Sequence, residues 1–174
     1  MEPKLVSTSR SVMTEMIMPN DTNPLHHLMG GNLMRWMDII GGICAGKHCE
    51  SHVVTASVDH VSFHEGIEVG EVITLTAQVT RAFNTSVETF VEVHVADIKG
   101  HNSRKSNHAY FTFVAVDEKN HRPQKVPGVI PENPEEEKLF ESAQRRREVR
   151  LVLAGRIKPE EASELIDYFS AFDE

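Results

Sequence analysis

The chain has 174 residues, and 18 Lys and Arg face 26 Asp and Glu, which gives a formal net charge of −8. A hydrophobic fraction of 40% with 25% charged residues is typical of a chain that buries a core. No stretch approaches the ~20 consecutive apolar residues of a membrane span. These values exclude a largely disordered chain and a transmembrane protein, and a membrane is not an expected partner.

The acidic balance disfavours nucleic acid as a partner, because broad binding to phosphate backbones needs a basic face. Cys44 and Cys49 are too few for a disulfide framework, and they lack the second ligand pair of a zinc site. The first residues also lack the cationic and apolar parts of a signal peptide. We therefore expect a reduced, cytoplasmic compartment and no metal site.

The first half of the chain predicts a strand, a loop and one long helix. Apolar residues alternate weakly over residues 9–18, and residues 19–24 are dense in turn formers. Asn32 is then a candidate cap for a helix over residues 32–47. The apolar side chains of this helix recur at helical spacing: Leu33, Trp36, Met37, Ile40, Ile43 and Cys44.

Three glycines lie inside this predicted helix: Gly41, Gly42 and Gly46. Each costs about 1 kcal/mol relative to Ala in a helix interior. Their presence predicts that another element packs very close to the helix backbone.

Strand-like runs rich in Val, Thr and Phe follow the helix, over residues 52–63, 72–83, 86–98 and 108–116. Short turns at residues 84–85 and 100–102 favour antiparallel pairing between successive strands, as in a meander. Such a sheet needs one face covered, and the helix over residues 32–47 is the apolar helix available. The sequence therefore predicts an α+β fold in which an antiparallel β-sheet surrounds one long central helix.

Four prolines between residues 122 and 134 mark an irregular linker, so we place one domain at residues 1–127 and an extension at residues 128–174. In the extension, three glutamates open a helix that Arg145, Arg146 and Arg147 are expected to close, since this order matches the helix dipole. Pro159 begins a second short helix.

A pair of glycines at the start of the central helix is the first candidate for chemistry. Gly30 and Gly31 expose backbone N–H groups at the positive end of the helix dipole, which suits an oxyanion. Asp38 lies two turns further along the same helix, and Asn23 precedes it in the loop. From spacing alone, the more frequent role of Asp38 is a solvent-facing side chain, and that of Asn23 before a proline is a turn residue.

Several ordered motifs resemble the hotdog-fold acyl-CoA thioesterases. The resemblance covers about residues 9–127, although family members commonly have a proline just after the position of Phe63. It rests on residues 19–49, Gly70-Glu71, Phe63 and three strand motifs: Val53-Val54-Thr55-Ala56-Ser57-Val58, Thr85-Ser86-Val87-Glu88 and Phe113-Val114-Ala115-Val116-Asp117.

The resemblance implies that the sheet wraps the helix, and that an Asn from the loop and an Asp from the helix of opposite subunits form each active site. Asn23 and Asp38 occupy those positions. It also implies an acyl-CoA substrate, no cofactor beyond the coenzyme A of that substrate, and homodimers assembled as a trimer of dimers. Thr85 and Ser86 resemble family residues close to the pantetheine tunnel, although a turn hydroxyl is an equal alternative for Ser86.

The expected reaction is hydrolysis of acyl-CoA to a free acid and coenzyme A. Asp38 would act as general base or as nucleophile, with the oxyanion held at Gly30 and Gly31. Arg145, Arg146 and Arg147 are candidates for binding the phosphates, although a solvated helix end is the simpler role; Arg81, Arg104 and Lys105 are weaker alternatives. A non-catalytic acyl-CoA-binding module and a hotdog hydratase are the alternative functions.

Overall fold

The computed structural model describes residues 1–61 and 65–171, and the chain divides into two compact units, Met1–Ile130 and Pro131–Glu174. The first unit contains, in chain order, β1 (Lys4–Leu5), α1 (Val6–Ser9), β2 (Ser11–Met16), α2 (Gly30–Cys49), β3 (His52–Asp59), β4 (Val72–Ala82), β5 (Ser86–Ala96), β6 (Arg104–Val116) and β7 (Val129–Ile130). The second contains α3 (Pro134–Leu153) and α4 (Ser163–Ser170).

The large sheet of the first unit is antiparallel throughout and has the strand order β2-β4-β5-β6-β3. Helix α2 packs against all five strands. The inward-facing side chains of β4 and β5 are almost all apolar and fully buried, because alternate residues of a strand point to the same face. The predicted fold, an antiparallel sheet around one long helix, is confirmed.

The expected meander is correct for β4, β5 and β6 and wrong for β3. Strand β3 lies at the far edge of the sheet, where Val53 pairs with Ala115 of β6. Strand β3 ends at Asp59 and β4 begins at Val72, so no short turn joins these two strands as it joins the later ones. Phe63, with which the predicted strand ended, lies outside the described residues.

The central helix begins two residues earlier than predicted. Met29 is the N-cap residue, and the Asn32 side chain instead donates a hydrogen bond from Nδ2 to the carbonyl oxygen of Asp21 at 3.2 Å. Asn32 is therefore not the cap. Ile43 was expected on the buried stripe but is 46% exposed, whereas the other stripe residues are buried.

The prediction of close packing at the helix glycines is confirmed at Gly41. A Cβ atom added there would lie 3.1 Å from Phe113 Cε2 and 3.2 Å from Thr89 Oγ1, both of which belong to buried side chains. The same atom at Gly42 would make an ordinary 3.6 Å contact with Phe113. The sheet therefore approaches the helix backbone most closely at one turn of α2.

In the second unit, Asn133 caps α3 by accepting a hydrogen bond at Oδ1 from the backbone N–H of Glu136 at 3.0 Å. The helix does not end at Arg147 as expected but continues to Leu153, and Arg150 is the basic residue of its last turn. Glu148 accepts a hydrogen bond from the backbone N–H of Leu165 at 2.9 Å, which ties the first turn of α4 to α3. Within the described part of the chain, none of the helices combines the length and apolar character that crossing a bilayer requires.

We predict that Gly41→Ala lowers the free energy of unfolding by about 1–3 kcal/mol, because Phe113 and Thr89 are buried and cannot move aside without strain. Gly42→Ala is the matched control, with an expected effect between zero and a gain of about 1 kcal/mol from helix propensity. Urea unfolding of both variants measures the difference. Equal stabilities for the two variants would contradict the close approach at Gly41.

Candidate active site

A cavity of about 360 Å³ lies at the start of α2. The loop before the helix, the first turns of the helix, the segment after residue 64 and strand β6 all contribute to its wall. The described residues that line it are Asn23, His27, Leu28, Gly30, Leu33, Glu65, Gly66, Ile67 and Asn107. The structure thus brings two of the predicted site residues, Asn23 and Gly30, into one cleft.

Asn23 shapes the loop that forms one side of this cleft. Its Oδ1 accepts hydrogen bonds from the backbone N–H groups of Leu25 at 2.9 Å and His27 at 3.2 Å. These two donors identify the oxygen of the amide, since only the oxygen can accept from both. Asn23 therefore holds the turn, and its Nδ2 is the part of the side chain that can donate to another group.

The first turn of α2 carries backbone donors that the helix itself does not use. The carbonyl oxygen of Met29 accepts from the N–H of Asn32 at 3.0 Å and of Leu33 at 3.2 Å. For the N–H groups of Gly30 and Gly31, no backbone acceptor is found among residues 1–61 and 65–171. Gly31 faces open space and does not line the cavity, so Gly30 is the better placed of the two.

Asp38 lies in a second cavity, of about 400 Å³, between α2 and the edge strand β3. Thr55 of β3 donates a hydrogen bond from Oγ1 to Asp38 Oδ1 at 2.7 Å. Nothing in the sequence marks Thr55 as a site residue, because a threonine in a strand rich in Val and Thr carries no distinguishing signal. The other described lining residues are Ile39, Gly42, Ile43, Gly46, Ser51, His52, Val53 and Phe113.

Within one chain, Asn23 and Asp38 therefore line different cavities. Gly30 belongs to the cleft of Asn23, and Thr55 to the cavity of Asp38. The two predicted catalytic side chains do not share a cleft in the single chain.

The remaining predicted site residues lie elsewhere. Ser86 is buried at the start of β5, and the carbonyl oxygen of Thr85 accepts from the N–H of Ala115 at 3.0 Å; neither residue lines the two cavities. The three predicted arginines lie in the second unit. The Arg145 guanidinium stacks 4.4 Å from the Tyr168 ring centroid, and Arg146 donates to Ser142 Oγ at 2.7 Å.

Arg147 is partly buried, and this burial, together with the nearby charges of Arg150 and Arg156, lowers the pKa of its guanidinium. Both cysteines are buried, and burial raises the pKa of each thiol to about 11, so neither is a nucleophile at neutral pH. In the ranges 1–61 and 65–171, no three His, Cys, Asp or Glu side chains cluster in a way that could hold a metal ion.

Arg104 anchors the segment of residues 65–71, part of which forms the outer wall of the first cavity. Its Nη1 and Nη2 atoms donate to the two carboxylate oxygens of Glu71 at 2.6 and 3.0 Å, and its Nε donates to Glu65 at 3.1 Å. It also donates to the carbonyl oxygen of Gly66 at 3.3 Å. The hydrogen bonds from Arg104 hold the pKa of Glu71 below its ordinary value of 4.5.

Comparison with known proteins identifies the family. A family model described as the thioesterase superfamily matches residues 25–100. The uncharacterized acyl-CoA thioester hydrolase YkhA of Bacillus subtilis is 36% identical over 145 residues, which cover 83% of this chain and 84% of that protein. The chain belongs to the hotdog-fold acyl-CoA thioester hydrolases. A further member, the mouse cytosolic acyl coenzyme A thioester hydrolase, is 38% identical over 149 residues, and the chain spans 38% of its length.

Solved structures of thioester hydrolases share the fold over nearly the whole chain. An acyl-CoA hydrolase from Staphylococcus aureus, in complex with butyryl coenzyme A, coenzyme A and coenzyme A disulfide, has a TM-score of 0.82 and 34% identity, and the match covers 96% of this chain and 98% of that one. An apo-hexameric acyl-CoA thioesterase has a TM-score of 0.85 and 36% identity over 88% of this chain and 98% of its own. Variants of the Staphylococcus aureus enzyme with one Asp, one Thr or one Asn replaced by Ala also match.

We predict that Arg104→Gln destabilises the protein in a pH-dependent way. Because the folded state lowers the pKa of Glu71, the pair contributes stability above pH 4.5, and this contribution is lost as the pH falls through the folded pKa. The difference in melting temperature between wild type and variant should be full at neutral pH and smaller at about pH 3. Thermal unfolding across that range measures it, with Glu71→Gln expected to give the same trend. A difference that does not change with pH would contradict the prediction.

Proposed function

We propose that the chain hydrolyses acyl-CoA thioesters to a free acid and coenzyme A, with Asp38 as the group that activates water. The observation that carries this proposal is the placement of Asp38. Its carboxylate is half-buried beside the edge strand and is oriented by the 2.7 Å hydrogen bond from Thr55. A bond to one carboxylate oxygen leaves the second to accept a proton from water.

The proposed step needs a base, an oxyanion site and a leaving group. The water oxygen bonds to the thioester carbon while Asp38 takes its proton, and the C–S bond then breaks to release coenzyme A as a thiolate. Direct attack by the Asp38 carboxylate, followed by hydrolysis of the anhydride, is the competing route. A thiolate is a good leaving group, so no strong general acid is required.

The start of α2 is suited to hold the oxyanion. Gly30 is the first residue of a helix whose N-terminus carries about half a positive charge, and it lines the cleft of Asn23. In the proposal, the thioester oxygen accepts from Gly30, with Gly31 as a further donor, and Asn23 Nδ2 orients the water or the carbonyl group.

Completion of this site by a second subunit is supported by the exposed edge of the sheet. Strand β3 is an edge strand of eight residues whose one neighbour, among the residues that the structure describes, is β6, and Val54 on it is 51% exposed. Ile39 and Ile43 of α2, beside the same cavity, are 39% and 46% exposed. A long exposed apolar edge invites pairing with another copy. We propose that two chains pair there, so that Asn23 of one chain and Asp38 of the other form each site.

The comparisons support the same assignments. In the Staphylococcus aureus hydrolase, one Asp, one Thr and one Asn were each replaced by alanine. The proposed site of this chain contains the same three residue types, in Asp38, Thr55 and Asn23. The hexameric thioesterase among the structural matches supports a trimer of dimers for this chain. The mouse, rat and human relatives are named as cytosolic, which supports a cytoplasmic location.

We further propose that residues 1–127 carry the activity and that residues 128–174 form an extension. In that extension the Arg145 guanidinium stacks on Tyr168, and Arg146 donates to Ser142. Arg145, Arg146 and Arg147 remain proposed contacts of the coenzyme A phosphates. Arg104 and Lys105, the alternatives in the first unit, pair with Glu71 and Glu92. Ser86 and Thr85 remain proposed contacts of the pantetheine arm.

We predict that Asp38→Asn lowers kcat for acyl-CoA hydrolysis at least about a hundredfold, since the variant keeps the shape of the side chain but cannot accept the proton. Thr55→Val should lower kcat about tenfold, because it removes the hydrogen bond that orients the carboxylate. A thiol-release assay with acyl-CoA esters of two to sixteen carbons measures both. A wild-type protein that binds acyl-CoA without releasing thiol would instead be a binding module, and near-normal kcat in Asp38→Asn would remove Asp38 from the mechanism.

We predict that two inactive variants, Asp38→Asn and Asn23→Ala, restore activity when they are co-expressed with different tags. If each site combines residues of two subunits, a mixed dimer has one intact site, so random pairing yields about a quarter of wild-type activity. Each variant expressed alone is the control. If both residues came from one chain, the mixture would stay as inactive as its parents.

A further inference from the structure

The backbone of His27 is held in place at the wall of the cavity at the start of α2. Its N–H donates to Asn23 Oδ1 at 3.2 Å, and its carbonyl oxygen accepts from the N–H of Asn23 at 2.8 Å. On its other side, His27 pairs with Glu68 in an isolated antiparallel bridge, and the N–H of Leu28 donates to the carbonyl oxygen of Ile67 at 2.7 Å. Bonds to the loop and to the segment after residue 64 thus fix the position of this histidine.

The imidazole ring of His27 packs against Gly66. A Cβ atom added at Gly66 would lie 3.0 Å from both Cε1 and Nδ1 of the ring, so a larger residue there would displace the ring. Because Nδ1 lies on the edge next to Gly66, Nε2 lies on the opposite edge. The ring is half-buried, and no hydrogen bond joins either of its nitrogens to another group in the part of the chain that the structure describes. An imidazole N–H is therefore available to a ligand.

His27 lies between two cavities. Its side chain lines the cavity of about 360 Å³ that contains Asn23 and Gly30, and it also lines a second cavity of about 290 Å³. The lining of this second cavity consists of His27 and four exposed residues: Leu25, His26, Glu68 and Val69. The second cavity is thus on the solvent side, and a ligand that extends from the first cavity into the second passes the His27 ring.

The expected orientation of the substrate brings its sulfur to this ring. In the proposed function, on which this inference rests, the thioester oxygen is held at Gly30. The sulfur is bonded to the same carbon as that oxygen, and the arm that follows it ends in charged phosphates, which stay in solvent. The arm therefore leaves the first cavity on its solvent side, and the sulfur at the start of the arm lies next to His27.

We infer that His27 is a further catalytic residue, whose Nε2–H donates a hydrogen bond to the departing sulfur. As the C–S bond breaks, its electron pair goes to sulfur, and a hydrogen bond to a charged acceptor is stronger than one to a neutral acceptor. A contact that strengthens in the transition state raises kcat. The proton stays on Nε2, and the released thiolate takes its proton from water.

Two replacements separate the donor from the shape of the ring. His27→Phe keeps a ring against Gly66 and removes both nitrogens, whereas His27→Gln loses the ring and keeps an N–H at Nε2. In a thiol-release assay with butyryl-CoA, kcat should fall about tenfold in His27→Phe and stay within about threefold of wild type in His27→Gln. A structural role of the ring would reverse this order and overturn the inference. His101→Phe, at an exposed position outside both cavities, is the matched control and should leave kcat unchanged.

A change of leaving group tests the assignment to sulfur. The butyryl esters of N-acetylcysteamine and of 4-nitrothiophenol both lack the nucleotide, and kcat/KM for each is measured with the protein in excess. His27→Phe should lower the value for the first ester about tenfold and that for the second less than about twofold, because the nitroaryl group spreads the negative charge away from sulfur. An equal loss on both esters would overturn the assignment.

Gly66→Ala displaces the ring without changing His27 itself. It should lower kcat/KM for the N-acetylcysteamine ester more than for the nitroaryl ester, so the inference stays testable even if His27→Phe fails to fold. A wild type that releases no thiol from butyryl-CoA would refute the proposed function. A wild type that releases thiol, with variants that lose activity equally on both short esters, would refute only this inference.

Discussion

The close approach of the sheet to α2 at Gly41 is the constraint on which the rest of the first unit depends. Phe113 and Thr89 lie so close to the helix that a Cβ atom added at Gly41 would be 3.1 and 3.2 Å from them. This contact sets the depth of the helix in the sheet. It thereby fixes the start of the helix at one end of β6 and places Asp38 within hydrogen-bond distance of Thr55 on β3. A larger residue at position 41 would hold the helix further from the sheet and separate Asp38 from Thr55. The reason is that a protein interior is packed too tightly to accommodate even an added methyl group without strain.

In the single chain, the candidate site residues line two cavities, and one of these cavities lies beside the edge strand β3. Asn23 and Gly30 line the cleft at the start of α2, whereas Asp38 and Thr55 line the cavity beside β3. Ile39 and Ile43 beside that second cavity are half-exposed. In the proposed dimer, the edge that pairs with a second chain lies next to Asp38, the carboxylate that is proposed to activate water.

The cleft at the start of α2 is built from residues distant in sequence, and each wall has its own support. The loop wall is shaped by Asn23 and its two backbone donors, and the outer wall is anchored by Arg104 through Glu71 and Glu65. The deep end carries the amide of Asn107, which Ser106 orients. Hydrogen bonds within the protein thus support the cleft on three sides.

The sequence alone determined the elements with strong local signals: the apolar stripe of α2, the alternation of β4 and β5, and the close packing at Gly41. The residues at the helix start themselves pointed to Gly30 and Gly31, and the motif resemblance supplied the pairing of Asn23 with Asp38. Only the tertiary structure decided that β3 pairs with β6, that Ile43 is exposed, and that Thr55 and Asn107 lie at the two cavities. The physical reason is that helical and strand periodicity depend on neighbours within a few residues, whereas strand order, bulges and cavity walls depend on contacts between segments tens of residues apart, which local patterns do not encode.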